Sequence, residues 1–245
     1  MSRSGGLNRR QALAGFGSVS LGALLAACSG DDDTPTARVE TSEGTTSTVE
    51  PKGSSTDLAS RFDEAAACTQ TAELTEGPFY FDVDRIRSDI REDREGARLR
   101  LGVRVRDAAE CEAIQNAVVD IWHCDATGSY SGFQGADGET YLRGAQVTNT
   151  DGIVEFTTVY PGWYPGRTVH IHAKVHIDKQ TALTTQLCFA DDFTAKVFRA
   201  EPYASDAGRD TFNENDSLYS KDLELTLSTE DDGYLALITL DVATA

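Results

Sequence analysis

Short segments in which polar and apolar residues alternate recur along much of this chain. The clearest is Val169 to Ile177, where the apolar residues alternate with His170, His172, Lys174 and His176. A period of two is typical of a β-strand with one buried face. Similar segments follow one another at 98–106, 117–123, 153–160, 181–189, 222–228 and 234–242. This spacing predicts an all-β protein, an antiparallel β-sandwich with long loops and little helix.

Two local signals refine this prediction. The acidic turn Glu230-Asp231-Asp232-Gly233 predicts a hairpin between the last two strands. Residues 191–200 predict one short helix, since Phe193, Val197 and Ala200 would share a face. With 245 residues and 40% hydrophobic content, the chain can bury one sizeable core. We therefore expect a single folded domain over residues 61–245.

Two tyrosines and two histidines form a candidate ferric site. His170 and His172 are two residues apart on one strand, so their side chains point the same way. The Pro- and Gly-rich loop before them can bring Tyr164 close, and Tyr130 follows a Gly-Ser turn. Phenolate is a hard, anionic ligand that suits Fe(3+), and imidazole completes an iron coordination sphere.

Each of these residues also has a structural interpretation. Tyr130 could be exposed in its turn, and Tyr164 could cover the Pro-rich loop. Arg167 could be a solvated loop cation, and Gln186 could satisfy a neighbouring backbone group. We interpret His123 and His176 as surface residues or as neighbours of the site.

Several motifs, in this order, resemble those of the intradiol ring-cleavage dioxygenases, the nonhaem ferric enzymes that open catechols between the hydroxylated carbons. The resemblance extends from about Cys68 to Asp216. Arg167 stands three residues before the His170-Ile171-His172 motif in the family's arrangement. The other matching motifs are Leu74-Thr75-Glu76-Gly77-Pro78-Phe79-Tyr80, Val119-Asp120-Ile121-Trp122, Gly128-Ser129-Tyr130, Pro161-Gly162-Trp163-Tyr164-Pro165 and Thr185-Gln186-Leu187.

The resemblance implies a role for each site residue. Tyr164 and His172 would be axial ligands of Fe(3+), Tyr130 and His170 equatorial ligands, and hydroxide the fifth. Arg167 and Gln186 would lie beside these ligands, where an arginine can stabilise charge that builds on the substrate.

The implied reaction inserts both atoms of O2 into a catechol-type aromatic diol and yields a cis,cis-muconate-type product. Tyr164 would leave the metal as the diol binds and accept a substrate proton. Only five residues separate Tyr164 from His170, and the helical dimerisation segment of cytoplasmic catechol dioxygenases is absent before Leu74. The shortened loop borders the site, so the natural diol stays open and a more open pocket that accepts bulky catechols is one alternative. The oligomeric state is also left open.

Two other functions compete with this one. A zinc hydrolase could use His170, His172 and His176, with an activated water in the fourth position. A noncatalytic surface β-sandwich that binds a partner needs no metal at all. Metal analysis separates the three functions.

The amino terminus predicts export. Arg9 and Arg10 lie in a segment that resembles a twin-arginine signal, and Leu25-Ala26-Ala27-Cys28 resembles a lipoprotein processing site. We expect residues 1–27 to be a signal peptide and Cys28 to carry the only membrane anchor. The mature protein would be exported, either as a surface or periplasmic-side lipoprotein or in secreted form.

Residues 28–60 are rich in Ser, Thr, Asp and Glu, which predicts a disordered tether. Loss of residues 1–27 removes three arginines and no acidic residue, so the formal charge of −18 becomes −21. Such a charge argues against nucleic acid and anionic lipid as partners. Lipidation of Cys28 would leave an even set of cysteines, which favours disulfides in an exported protein, with three pairings open among Cys68, Cys111, Cys124 and Cys188.

Overall fold

The computed structural model describes residues 22–24, 37–40, 45–51, 56–62, 67–133, 135–178, 180–203 and 208–244. Strands dominate these residues. The strands are β1 Gly22–Leu24, β2 Ala37–Glu40, β3 Thr46–Val49, β4 Arg98–Asp107, β5 Val118–Trp122, β6 Arg143–Val147, β7 Ile153–Val159, β8 His170–Ile177, β9 Gln180–Cys188, β10 Thr226–Glu230 and β11 Gly233–Val242. The helices are α1 Thr56–Ala59 and α2 Asp191–Val197, with 3-10 turns at Asn213–Asn215 and Lys221–Leu223.

Two four-stranded sheets form the body of the protein. The first has the order β10-β11-β4-β7 and the second β6-β5-β8-β9. Their facing sides supply the main core, to which β4, β5 and β8 contribute alternate residues, among them Leu99, Leu101, Val103, Val119, Ile121, Ile171 and Ala173. Burial of every second residue is what packs two sheets face to face. The predicted sandwich, the short helix at Asp191 and the hairpin at Asp231-Asp232 are confirmed.

Three details of the predicted sandwich were wrong. β11 pairs with β4 in parallel, from Tyr234↔Leu99 to Val242↔Asp107, so the first sheet is mixed. β6 was missed because its Arg-Gly-Ala-Gln-Val sequence does not alternate. In the segment predicted as a strand over 222–228, a 3-10 turn ends at Leu223 and β10 begins only at Thr226.

Both faces of β8 are buried, whereas alternation predicted one. Residues 74–87 cross the outer face of the second sheet, with Leu74 N donating to Thr184 O and Arg87 N to Ala145 O. Their side chains cover the polar positions of β8, and His176 is only 3% exposed. His123 is also fully buried, so the interpretation of these two histidines as surface residues was wrong.

The small sheet β1-β2-β3 packs on the same outer face. Ala37 and Val39 of β2 are buried against Val118 and Val147. These strands differ from the expectation of a disordered tether over 28–60, because the few apolar residues there suffice to cover a sheet face. The twin-arginine motif and Cys28 lie outside the described residues. None of the helices that the structure describes is long and apolar enough to cross a membrane.

Candidate metal centre

Four side chains of two types converge on the outer face of the second sheet. His170 Nε2 lies 3.1 Å from Tyr164 Oη and 3.1 Å from His172 Nε2. The Tyr130 ring completes the group, with its centroid 5.7 Å from that of Tyr164 and 6.3 Å from that of His172. The structure thus brings together all four residues predicted as ligands.

Close contact between two loops positions the tyrosines. A Cβ atom added to Gly128, whose φ is +86°, would lie 2.2 Å from Trp163 O, so only glycine permits this approach. Asp125 stabilises the Tyr130 loop by accepting hydrogen bonds from the backbone N–H groups of Thr127 and Ser129. Its carbonyl accepts from Gly162 N at 3.0 Å, which joins this loop to the Tyr164 loop.

Both site histidines are neutral at neutral pH. Burial, followed by the Arg167 charge, lowers the pKa of His170 to about 3. Burial and then His170 lower the pKa of His172 well below its ordinary value. Neutral imidazole is the form that binds a metal. Burial raises the pKa of Tyr130 well above 10.0 and raises that of Tyr164, so either phenol needs a nearby cation to ionise.

The site fits one metal ion. His170 Nδ1 lies 2.7 Å from Thr168 O, so it carries the proton and Nε2 keeps a single lone pair. That lone pair faces both Tyr164 Oη and His172 Nε2, and it cannot accept from both. Donor atoms bonded to one ion at about 2.1 Å and at right angles are about 3.0 Å apart, close to the spacing here. Tyr130 Oη is buried without a hydrogen-bond partner among the described residues.

The zinc arrangement does not form. His176 lies four residues beyond His172 on β8, about 13 Å along the strand, and its Nδ1 contacts Thr181 Oγ1. Within the described part of the chain, no group of three or more His, Cys, Asp or Glu residues could hold a metal. Donor chemistry therefore favours a hard cation that accepts phenolate over zinc.

Arg167 and Gln186 form a connected pair beside the histidines. The Arg167 Nη2 group donates to Gln186 Oε1, and its Nε donates to Asp216 Oδ2 at 2.9 Å. Gln186 Nε2 donates to Thr75 O at 3.0 Å, so the amide joins the guanidinium to the segment that crosses the sheet. Gln186 thus satisfies a backbone group and also accepts a hydrogen bond from Arg167.

Four contacts at the site were missed by sequence reasoning. Phe79 stacks on Tyr130 with ring centroids 4.5 Å apart, and Phe133 meets Phe79 edge-on at 5.3 Å. Trp122 stacks on His172, and Gly77 lies against the same imidazole. Phe79, Gly77 and Trp122 occur in the motifs that carry the family resemblance, so their positions were available but not their contacts.

The cysteines divide into one pair and two thiols. Cys68 and Cys111 form a disulfide, whereas Cys124 and Cys188 are free and buried. Cys124 belongs to the aromatic cluster around Tyr130, and its Sγ lies 3.5 Å from Gly162 O. Burial of both thiols keeps them unreactive.

Comparison with known proteins identifies relatives. The family model described as Dioxygenase (Dioxygenase_C) matches residues 75–212. A chlorocatechol 1,2-dioxygenase of Rhodococcus opacus is 30% identical over 148 residues, which are 50% of this chain and 57% of that protein. A catechol 1,2-dioxygenase of a Pseudomonas species is 28% identical over 152 residues, 53% of this chain and 50% of the relative. The chain therefore spans about half the length of these curated relatives.

Solved structures have the same fold. An intradiol ring-cleavage dioxygenase from Tetranychus urticae superimposes with a TM-score of 0.69 at 33% identity, over 72% of this chain and 95% of that one. The dioxygenase domain of a carbohydrate-binding fusion protein from Streptomyces sp. SirexAA-E gives a TM-score of 0.57 at 27% identity, over 72% of this chain and 100% of that domain.

Proposed function

The chain belongs to the intradiol ring-cleavage dioxygenase family, and on this premise we propose that it is a nonhaem Fe(III) dioxygenase acting on a catechol-type diol. Both atoms of O2 enter the ring, which opens between the hydroxylated carbons to a cis,cis-muconate-type product. The convergence of two phenols and two neutral imidazoles within one buried cluster carries this proposal. Tyr130, Tyr164, His170 and His172 are the proposed ligands.

Bound ferric iron would supply the Lewis acidity that draws electron density from the diol oxygens and makes a ring carbon reactive towards O2. Tyr164 then has a separate task at its Oη atom. Its side chain is less buried than that of Tyr130, so a diol can reach it, and its oxygen can accept one of the two diol protons. Tyr130 is 3% exposed and keeps its position.

Arg167 offsets the negative charge of the ionised diol. Its side chain is partly exposed, and its guanidinium donates to Asp216 and Gln186, which fix the plane of the group. An arginine held at two points is preorganised, so little reorganisation is needed as charge develops. Gln186 therefore acts through Arg167.

An aromatic cluster borders the proposed ligands. Phe79 stacks on the Tyr130 ring and also meets Tyr164 edge-on at 6.0 Å. Phe133 meets Phe79 edge-on at 5.3 Å. A flat aromatic diol complements such a cluster, which supports catechol or a substituted catechol as the substrate class.

One experiment tests the function. The purified protein is assayed for stoichiometric iron, visible absorption and oxygen uptake with catechol, beside His170→Ala and the control His176→Ala. We expect iron, a red to burgundy colour and a muconate-type product in the parent and in His176→Ala, and loss of all three in His170→Ala. A yellow extradiol semialdehyde would overturn the regiochemistry. Colourless zinc protein would favour the hydrolase, and absence of stoichiometric metal the binding module.

We further propose that the protein is exported and anchored by a lipid on Cys28. The support is the order of the twin-arginine motif, the short apolar stretch and the processing site. Replacing Cys28→Ser should release the protein from membranes, whereas Arg9→Lys with Arg10→Lys should block export. Fractionation of cells reports both outcomes, and membrane retention of Cys28→Ser contradicts the anchor.

A further inference from the structure

The two site histidines are held in different ways. His170 donates its Nδ1–H to Thr168 O at 2.7 Å, which orients the ring. His172 Nδ1 is buried and has no hydrogen-bond partner among the residues the structure describes. Metal-binding histidines almost always donate this second N–H to an oxygen, because the bond fixes the ring orientation. Something else must orient His172.

One face of the His172 ring lies on Trp122. The two residues are directly opposite each other on β8 and β5. Their rings are nearly parallel, with an interplanar angle of 7° and centroids 4.9 Å apart. Trp122 also contacts Tyr80, with ring centroids 4.7 Å apart, and is 1% exposed. The indole is therefore a fixed surface against which the imidazole rests.

Gly77 meets the same ring at its edge. A Cβ atom at this position would lie 3.3 Å from His172 Cε1 and 3.8 Å from Nε2. Gly77 has a φ of +72°, and its N–H donates to Thr75 Oγ1 at 3.2 Å. Thr75 O in turn accepts from Gln186 Nε2, which fastens this turn to β9. The missing side chain of Gly77 thus leaves space for the imidazole, and a Cβ atom there would make a tighter contact with Cε1 than is usual.

We propose that Trp122 and Gly77 are positioning residues for the His172 imidazole, Trp122 by stacking on the ring and Gly77 by leaving room for it, in the place of the missing hydrogen bond. This inference rests on the proposed iron site, since a free imidazole would not need a fixed orientation. Stacking on Trp122 sets the plane of the ring, and the absence of a Cβ atom at Gly77 leaves the space that the ring needs in this orientation. Together they direct Nε2 towards His170 Nε2, 3.1 Å away.

The test compares two glycines with similar positive φ angles. Gly77→Ala adds a methyl group beside His172, whereas Gly138→Ala adds one at a φ of +82° with no atom within 4 Å. Backbone strain is therefore similar in both variants, and contact with the ligand differs. Loss of an outer partner of a ligand typically weakens metal binding by roughly 10–100-fold. We expect this loss in iron affinity, measured by chelator competition, for Gly77→Ala and parent affinity for Gly138→Ala.

The ferric EPR spectrum gives a readout that a loss of stability would not move. Gly77→Ala should broaden the spectrum and change its rhombicity, because His172 would adopt several orientations. Trp122→Phe keeps an aromatic face and removes an indole N–H that has no partner in the described residues, so its spectrum should stay near that of the parent. Trp122→Leu removes the face and should resemble Gly77→Ala.

These outcomes distinguish failure of the proposed function from failure of the positioning role of Gly77 and Trp122. If the parent protein binds no iron, the proposed function fails. If the parent binds iron, and Gly77→Ala and Trp122→Leu keep its affinity and spectrum, the packing of His172 is not what positions it. Equal iron loss in Gly77→Ala and Gly138→Ala would also overturn the role of Gly77, because backbone strain would then explain the effect.

Discussion

Replacing Tyr164→Phe removes one oxygen atom from the site and tests its role as ligand and proton acceptor. The hydroxyl lies 3.1 Å from His170 Nε2, and losing that hydrogen bond should change the free energy of unfolding by only about 1 kcal/mol. The ring keeps its edge contacts with Phe79 and Tyr130, so the fold should persist.

The expected kinetic effect is much larger. A positioned general base contributes roughly 10²–10⁴-fold to rate. Each tenfold loss corresponds to about 1.4 kcal/mol, so kcat/KM should fall by the equivalent of about 3–5 kcal/mol. Iron should remain, because Tyr130, His170 and His172 stay in place, but the phenolate-to-iron absorption should shift.

The matched control is Tyr160→Phe. Tyr160 is a buried tyrosine whose Oη contacts Thr194 Oγ1 at 2.7 Å, in the core between the sheets. The Tyr160→Phe variant loses the same atom, and its free energy of unfolding should fall by a comparable amount. It should keep the visible absorption and the catechol turnover of the parent. Catechol cleavage and the visible spectrum are measured on both variants at equal iron loading. A Tyr164→Phe protein with the parent's spectrum and full turnover would refute the assignment of Tyr164 as ligand and base.

Three further predictions concern stability. Asp241→Asn removes the carboxylate charge that pairs with the buried Arg106 guanidinium and should lower the free energy of unfolding by about 3–5 kcal/mol, measured with urea; a change below about 1 kcal/mol would mean that the pair is solvated. Burial lowers the pKa of His123 to about 4, so the unfolded chain binds the proton first and stability is lost as pH falls from about 6.5 to about 4. His123→Gln should therefore show a shallower decline over this range, and an unchanged slope would contradict it. Replacing Cys68 and Cys111 with Ser opens a loop with a sequence separation of 43 and should cost about 2–4 kcal/mol, visible as a lower melting temperature than the parent under oxidising conditions.

The fold was predictable where a residue's neighbours in sequence decide its environment. Val169 to Ile177 alternates because adjacent side chains point to opposite faces, and that local rule is correct in the structure. Whether the polar face meets water depends on distant residues. Hydrogen bonds from Leu74 and Arg87 hold a loop across this face. The sequence of β8 does not indicate that the loop covers it. The parallel pairing of β11 with β4 likewise depends on contacts between strands that are far apart in the sequence.

The candidate site divides in the same way. The shared direction of His170 and His172 follows from strand geometry, and the motif order placed Tyr130 and Tyr164 with them. The contacts of Trp122 and Gly77 with His172 depend on strand register and on a φ of +72°, which single residues do not reveal. The sequence also could not predict that Cys124 is a free thiol, because it left three disulfide pairings open.

The parallel pair of β11 and β4 has a consequence for how the protein is made. Arg106 and Asp241, which meet across this pair, are 135 positions apart in the chain. Pairings of such high contact order form slowly, because a long loop must close before any contact stabilises it. While the ribosome is still adding β11, β4 has only β7 beside it, and its other edge is open to a strand from another nascent chain. Folding should therefore be mainly post-translational, and chaperones that cover strand edges should raise the yield of active protein.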